Sequence, residues 1–392
     1  MRARYLIGAS LAALAAGAAL AQADMGALIQ GPGYPETETH AAKSGRIVPL
    51  GPLGDVPVPP DNPMTDAKVE LGRMLFFDER LSGNGTMPCS ACHLPDAGWG
   101  TPDAISLGYP GTTHWRNSQT ILNSAYYNKY FWDGSKTSLE AQAKAAAGGA
   151  VAGNGDGSIM EMRLAFIPEY RDRFRQVFGT DYPIMGDAWR AISAFQRTIV
   201  SDPALVPFDR HAAGDEAALS EEALRGLELF RGEAGCIACH SGPLLSDQGF
   251  AALGVPQDPI METDDPLQMI TVRWENYAKG VTEEIYYSDP GDLGLYYVTK
   301  RPEDMHKFRV PSLRELTWTA PYMHNGAFGT LAEVVEFYDA GGGETPNKSP
   351  LIRPLGLSEA DKAALVAFLE SLSMDEPLLV EVPDLPDIEP WR

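Results

Sequence analysis

Cys89-Ser90-Ala91-Cys92-His93 and Cys236-Ile237-Ala238-Cys239-His240 are the segments of this 392-residue sequence whose residue types and spacing carry chemistry. Three chemistries compete for them. Dithiol exchange uses a Cys-x-x-Cys pair but has no need of the trailing histidine. Zinc can be enclosed by four such thiolates. Covalent haem attachment uses every residue: each thiol adds to one vinyl group of the porphyrin, and the adjacent imidazole binds the iron. Positions three apart lie nearly one helical turn apart, so both sulfurs face the same side. The haem reading leaves no cysteine over, and the sequence favours it. Gly72-Arg73-Met74-Leu75-Phe76 precedes the first motif and Gly226-Leu227-Glu228-Leu229-Phe230 the second. This repeat predicts a helix leading into each haem loop, with Leu and Phe packed on the porphyrin.

Haem attachment in bacteria requires export, and the amino terminus supplies it. Arg2 and Arg4 precede an uncharged, Ala-rich run from Leu6 to Ala21, and Ala19-Leu20-Ala21 and Ala21-Gln22-Ala23 are small-x-small cleavage sites. Residues 1–23 therefore read as a signal peptide, and the product as periplasmic. The run falls short of the roughly 20 residues of a membrane anchor, and no later segment is apolar enough to span a bilayer. Cleavage takes the formal net charge from −22 to −24. Such a surface excludes nucleic acid as a partner, because phosphate contacts need Lys and Arg. It suits a basic protein partner by steering, and equally serves plain solubility.

The elements that must position the motifs are mostly helical. Residues 24–64 are rich in Pro and Gly and read as an extended arm. Helices are expected over Asp66–Phe77, Asp187–Val200, Glu221–Phe230 with Ser220 as cap, and Glu359–Leu372 with Ser358 as cap. Ala145–Ser158 is too Gly-rich for helix throughout. Leu205–Leu219 reads as a linker, and residues 241–310 lack strong periodicity. The expected fold is mainly α, with long loops and few short strands, in two cytochrome c-like haem domains. The first covers residues 65–204 with the first motif, and the second covers 205–392 with the second motif, its last helix free to pack back on the first domain.

Further motifs flank the haem segments in a fixed order: Ser106-Leu107-Gly108, Arg116-Asn117-Ser118, Phe131-Trp132-Asp133-Gly134, Phe195-Gln196-Arg197-Thr198, Val310-Pro311-Ser312-Leu313-Arg314 and Pro321-Tyr322-Met323-His324-Asn325-Gly326. With them the chain resembles the bacterial di-haem cytochrome c peroxidases and their MauG-like relatives over roughly Leu71–Leu372. The resemblance implies two covalent haem c groups. His93 binds the first iron and leaves its far face for hydrogen peroxide. His240 binds the second iron with a further protein ligand. It places Trp132 between the haems and a calcium ion on Asn117, Thr319 and Pro321, whose oxygens suit that ion. Homodimers occur among such proteins.

The sixth ligand of the second haem separates the subclasses. The resemblance implies a Met there in the peroxidases and a Tyr in MauG-like members, and Tyr338, on a helix expected over Thr330–Tyr338, takes the position. Met323 and His306 are the alternatives. A phenolate favours ferric iron and lowers the potential, whereas a thioether does the reverse. Peroxide cleavage also needs an acid–base group. Gln142 stands at its expected spacing, but the family's glutamate is displaced by the Gly-rich stretch, leaving Glu161, and more weakly Asp156, as candidates. A family histidine after Ser-Leu-Gly is replaced by Tyr109, with His114 nearby. The expected function is peroxide-driven oxidation of a protein partner through high-valent iron. The alternatives are peroxide detoxification fed by a small cytochrome or cupredoxin, and electron transfer without catalysis.

Overall fold

The computed structural model describes residues 47–257, 266–289 and 291–387. The signal peptide and most of the amino-terminal arm lie outside the described residues. Among those described, the helices are α1 (Asp66–Phe77), α2 (Leu139–Gly148), α3 (Gly157–Ala165), α4 (Pro168–Phe178), α5 (Met185–Gln196), α6 (Pro207–Ala212), α7 (Glu221–Arg231), α8 (Pro266–Ala278), α9 (Glu283–Ser288), α10 (Tyr296–Thr299), α11 (Leu331–Asp339) and α12 (Glu359–Glu370). Two-residue strands β1 (Phe250–Ala251) and β2 (Phe308–Arg309) pair antiparallel, Phe250 opposite Arg309. None of these helices is long and apolar enough to cross a membrane. The mainly α expectation holds.

The helices start where their caps dictate. The Thr65, Ser220 and Ser358 side chains accept from Lys68, Ala223 and Asp361 N–H groups, each satisfying a donor orphaned by the first turn. The helix expected over Asp187–Val200 runs instead from Met185 to Gln196. The Gly-rich stretch divides α2 from α3 as expected, whereas the expected linker contains α6 and the aperiodic 241–310 region contains α8, α9 and α10.

Two large hydrophobic clusters form, one around Phe76, Trp99 and Phe195, the other around Phe230, Leu365 and Phe368, beside a small one of Leu293, Tyr296 and Tyr297. The two large ones are built alike. α1 crosses α5 at Gly72, where a Cβ would lie 1.9 Å from the Ala191 carbonyl oxygen; α7 crosses α12 at Gly226, where it would lie 1.9 Å from that of Ala364. Only glycine allows this approach, which brings Phe76 to 5.3 Å from Phe195 and Phe230 to 5.0 Å from Phe368. The last helix thus stays on the second cluster. The segment after it returns to the first: Leu378, Val380 and Leu385 pack there, and the Trp99 indole N–H donates to the Leu378 carbonyl at 2.8 Å.

A second duplication is plainest in three dimensions. Phe131 and Met323 both have left-handed backbone (φ 62° and 75°), as do Gly134 and Gly326 (φ 67° and 66°). Single bridges close both loops, Tyr130 with Lys136 and Tyr322 with Phe328. Ser138 then caps α2, and Thr330 caps α11. The copies interlock: Asn117 N–H donates to the His324 carbonyl, and Arg309 N–H to the Trp132 carbonyl, each at 2.8 Å. Buried Ser201 joins Asn123 at 2.7 Å to Glu315 at 2.5 Å.

Candidate functional site

Each Cys-x-x-Cys-His segment opens with a 3-10 turn, Cys89–Ala91 and Cys236–Ala238. His93 N–H donates back to the Cys89 carbonyl at 3.1 Å, and His240 N–H to that of Cys236 at 2.9 Å. The imidazoles are oriented by the same device. Nδ1 of His93 lies 3.2 Å from the Trp99 carbonyl, and Nδ1 of His240 lies 3.0 Å from the Leu245 carbonyl. A carbonyl only accepts, so Nδ1 carries the proton and Nε2 is the nitrogen that would bind an iron. Trp99 and Leu245 both sit in left-handed backbone (φ 60° and 49°), which turns their carbonyls inward. Burial holds the His93 pKa below its ordinary value, keeping the imidazole neutral, as a metal ligand must be.

All four cysteines are unbridged. Burial pushes the Cys89 and Cys236 thiols up to about 12. Dithiol exchange needs the opposite shift, because the thiolate is the nucleophile. Zinc fails as well: among the described residues no three His, Cys, Asp or Glu side chains converge on a metal position. Thioether attachment, with an oriented imidazole beside each pair, is the chemistry the residues fit.

Around the second motif lies a cavity of about 540 Å³, bordered by Cys236, Cys239, His240, Arg309, Tyr338 and, from the first half, Trp132. Tyr338 is carried by α11, whose start is fixed by a reciprocal capping box between Thr330 and Glu333. Its phenol makes no hydrogen bond to any described residue, and burial, with Cys239 and Cys236 close by, pushes its pKa well above the usual range. That leaves a polar group for the cavity's occupant to satisfy. Met323 borders the same cavity. His306 is committed elsewhere, with Nδ1 3.0 Å from the Asp292 carbonyl and Nε2 2.7 Å from the Asp289 carboxylate.

Trp132 stands where the two copies meet. Its indole N–H donates to the Asn117 carbonyl at 3.0 Å. Its ring meets the equivalent residue of the other copy, His324, edge-on at 6.4 Å, and His324 stacks on Phe308 at 3.7 Å. Burial drops the His324 pKa to about 4, so this ring is neutral. Asn117, Thr319 and Pro321 all border the cavity. The Asn117 amide donates to the Ala104 carbonyl at 3.0 Å, while its own oxygen and the carbonyls of Thr319 and Pro321 accept no hydrogen bond from described residues.

The remaining candidates are placed elsewhere. Gln142 is half-buried on α2. Glu161, on α3, accepts the Met185 backbone N–H at 2.8 Å, so its carboxylate caps α5. Asp156 caps α3 through the Ile159 N–H. His114 is half-buried, and desolvation drops its pKa to about 4. Sequence reasoning passed over Phe308, Arg309 and Ala146. The signal for Ala146 was available: when Phe131-Trp132-Asp133-Gly134 is matched to Met323-His324-Asn325-Gly326, Ala146 of α2 falls where α11 has Tyr338.

Comparison with known proteins agrees with this geometry. The family model for di-haem cytochrome c peroxidase matches residues 66–217. Over 351 residues the chain is 61% identical to cytochrome-c peroxidase IdrP1 of Denitromonas iodatirespirans, covering 89% of this chain and 93% of that one. Over 332 residues it is 36% identical to the methylamine utilization protein MauG of Methylorubrum extorquens, covering 84% and 85%. Among solved structures, a MauG-like protein associated with microbial copper homeostasis matches with a TM-score of 0.67 at 32% identity, covering 85% of this chain and 95% of that one. The chain belongs to the di-haem cytochrome c peroxidase and MauG family, and as a member it is an oxidoreductase built to carry two haem groups.

Proposed function

We propose that this protein reduces hydrogen peroxide at the first haem, with electrons arriving through the second from a small protein donor in the periplasm. One observation carries the reading: at equivalent positions of two like-built helices, the second half has Tyr338 and the first half Ala146. A phenol closes one site; a methyl group leaves the other open. Haem iron, when bound, supplies the electrons that break the O–O bond. The chain's part is to hold each iron through His93 and His240 and to orient peroxide. Gln142 lies one turn before Ala146 on the same face of α2, so its amide is the group placed to hydrogen-bond a small ligand there. Trp132, held by Asn117, bridges the two sites. Peroxide added to the ferric protein should change its visible spectrum within seconds, and Ala146→Tyr should abolish both that change and turnover while both haems stay attached. A parent protein indifferent to peroxide would overturn the reading.

Tyr338 favours a second reading, oxidation of a protein partner in the MauG manner. A phenolate ligand suits an oxidised iron better than a thioether does. Peroxide consumption that needs no reduced donor, but modifies a co-purifying protein, would select it. In either reading a calcium ion is held by the Asn117 side-chain oxygen and the Thr319 and Pro321 carbonyls. Chelation should then lower activity, and added calcium should restore it.

A further inference from the structure

Among the described residues Arg116, Arg197, Arg309 and Arg314 are buried. Three are matched by carboxylates: Arg116 by Asp292 at 2.6 Å and Asp133 at 3.0 Å, Arg197 by Glu140 at 2.8 Å, and Arg314 by Asp209 at 2.8 Å. Arg309 is not. It is 1% exposed, yet no carboxylate of the described residues lies within ion-pair reach. Its Nε donates to the Phe131 carbonyl at 3.3 Å, its Nη1 reaches the Val310 carbonyl only at 3.5 Å, and the Tyr127 ring lies 4.3 Å from the guanidinium. All these partners are neutral. A guanidinium cannot shed its proton, so a buried one without an anion is costly.

The same residue borders the cavity around Cys236, Cys239 and His240. Its backbone is fixed twice over, by pairing with Phe250 in the two-stranded ribbon and by donation to the Trp132 carbonyl. The other cavity-bordering cations offer less: Arg314 is bound to Asp209, His306 to Asp289, and Arg353 is exposed. We propose that Arg309 is the counter-ion of a haem propionate, fixing the carboxylate of the second haem beside Trp132. This rests on the reading that the cavity holds that haem. Burial pulls the Arg309 pKa below its ordinary value despite Tyr127 and Tyr130, so a carboxylate beside the guanidinium would offset a real desolvation cost.

The test compares the intact two-haem protein with Arg309→Gln and Arg309→Lys. The readouts are attached haem mass, the propionate bending band in resonance Raman, and the midpoint potential of the low-spin haem against pH. Removing the positive charge disfavours the electron on iron and raises the propionate pKa. Arg309→Gln should therefore keep both haems, shift the propionate band, and lower the midpoint, which becomes pH-dependent near neutrality where the parent is flat. Arg309→Lys, which keeps the charge but not the fork, should restore the midpoint and only part of the band shift. The lysine variant alone decides the matter should the glutamine variant not fold. An unchanged band and midpoint in loaded variants would overturn the proposal. So would a parent midpoint that follows added chloride or phosphate, because the anion would then be a free one. Absence of haem mass from the parent would instead defeat the underlying reading.

Discussion

The Trp99 and Leu245 carbonyls accept from Nδ1 of His93 and His240, so a decisive instruction at either site is a backbone hydrogen bond. The Cys-x-x-Cys-His segments were legible because their chemistry is local: ligand and attachment points lie within five residues. Glu161 shows the limit. A carboxylate near the expected place is ambiguous in sequence, since its partner, the Met185 N–H, comes from another helix. Glu161→Gln should leave peroxide turnover near the parental value and cost about 0.5–1 kcal/mol in denaturant titration, the worth of a charged group at a helix start. If Tyr338 ligates the second iron as proposed, Tyr338→Phe should leave both haems attached and raise the high-spin fraction in low-temperature spin resonance. His306 and Asp289 give a pH prediction. Burial disfavours both charges, but each partner outweighs it, raising the His306 pKa and lowering that of Asp289. The histidine's contribution is complete below about 6.5 and fades as pH rises through its folded value. The aspartate's is complete above its unfolded value and fades only in acid. Asp289→Asn should therefore reduce Tm most at pH 5–6 and progressively less toward pH 8.

Helices α1 and α7 owe their positions to missing side chains. At Gly72 and Gly226 an added methyl would strike a carbonyl oxygen of the crossing helix, and neither backbone can yield without parting the phenylalanine pairs beside it. Gly226→Ala should destabilise by about 1–3 kcal/mol, the usual cost of overpacking, with Gly72→Ala close behind. The starts at Ser220 and Ser358 were readable because capping is a local bond. α8, α9 and α10 were not, because their sequence mixes turn formers with apolar residues. Tertiary contacts hold this region instead: the Tyr297 hydroxyl donates to the Asn276 side chain at 2.6 Å, and Thr271 reaches the Thr113 carbonyl at 3.1 Å. The Phe131 and Met323 loops escaped notice for another reason. Their kinship lies mostly in backbone angles, and in sequence little survives beyond Tyr130/Tyr322, Gly134/Gly326, the Ser138/Thr330 caps and Leu139/Leu331.

The whole molecule folds back on itself at several points, so neither half is self-sufficient. A fragment ending at residue 204 would lose the Arg309–Trp132 and Asn117–His324 bonds and the Ser201–Glu315 link together. It should fail to unfold cooperatively by calorimetry, whereas the intact chain should. Charge acts at this scale too. With a formal net charge of −22, turnover with a basic donor should fall as salt rises, and turnover with an acidic one should not.

The tail after α12 has a temporal meaning. Trp99 supplies the carbonyl that orients His93, and its indole is tied to Leu378, close to the carboxyl terminus. A chain emerging from its amino end therefore delivers the first cofactor motif long before the residue that locks it. The first motif is locked only after the second has been made, and a product ending before Leu378 would carry the first motif without its lock.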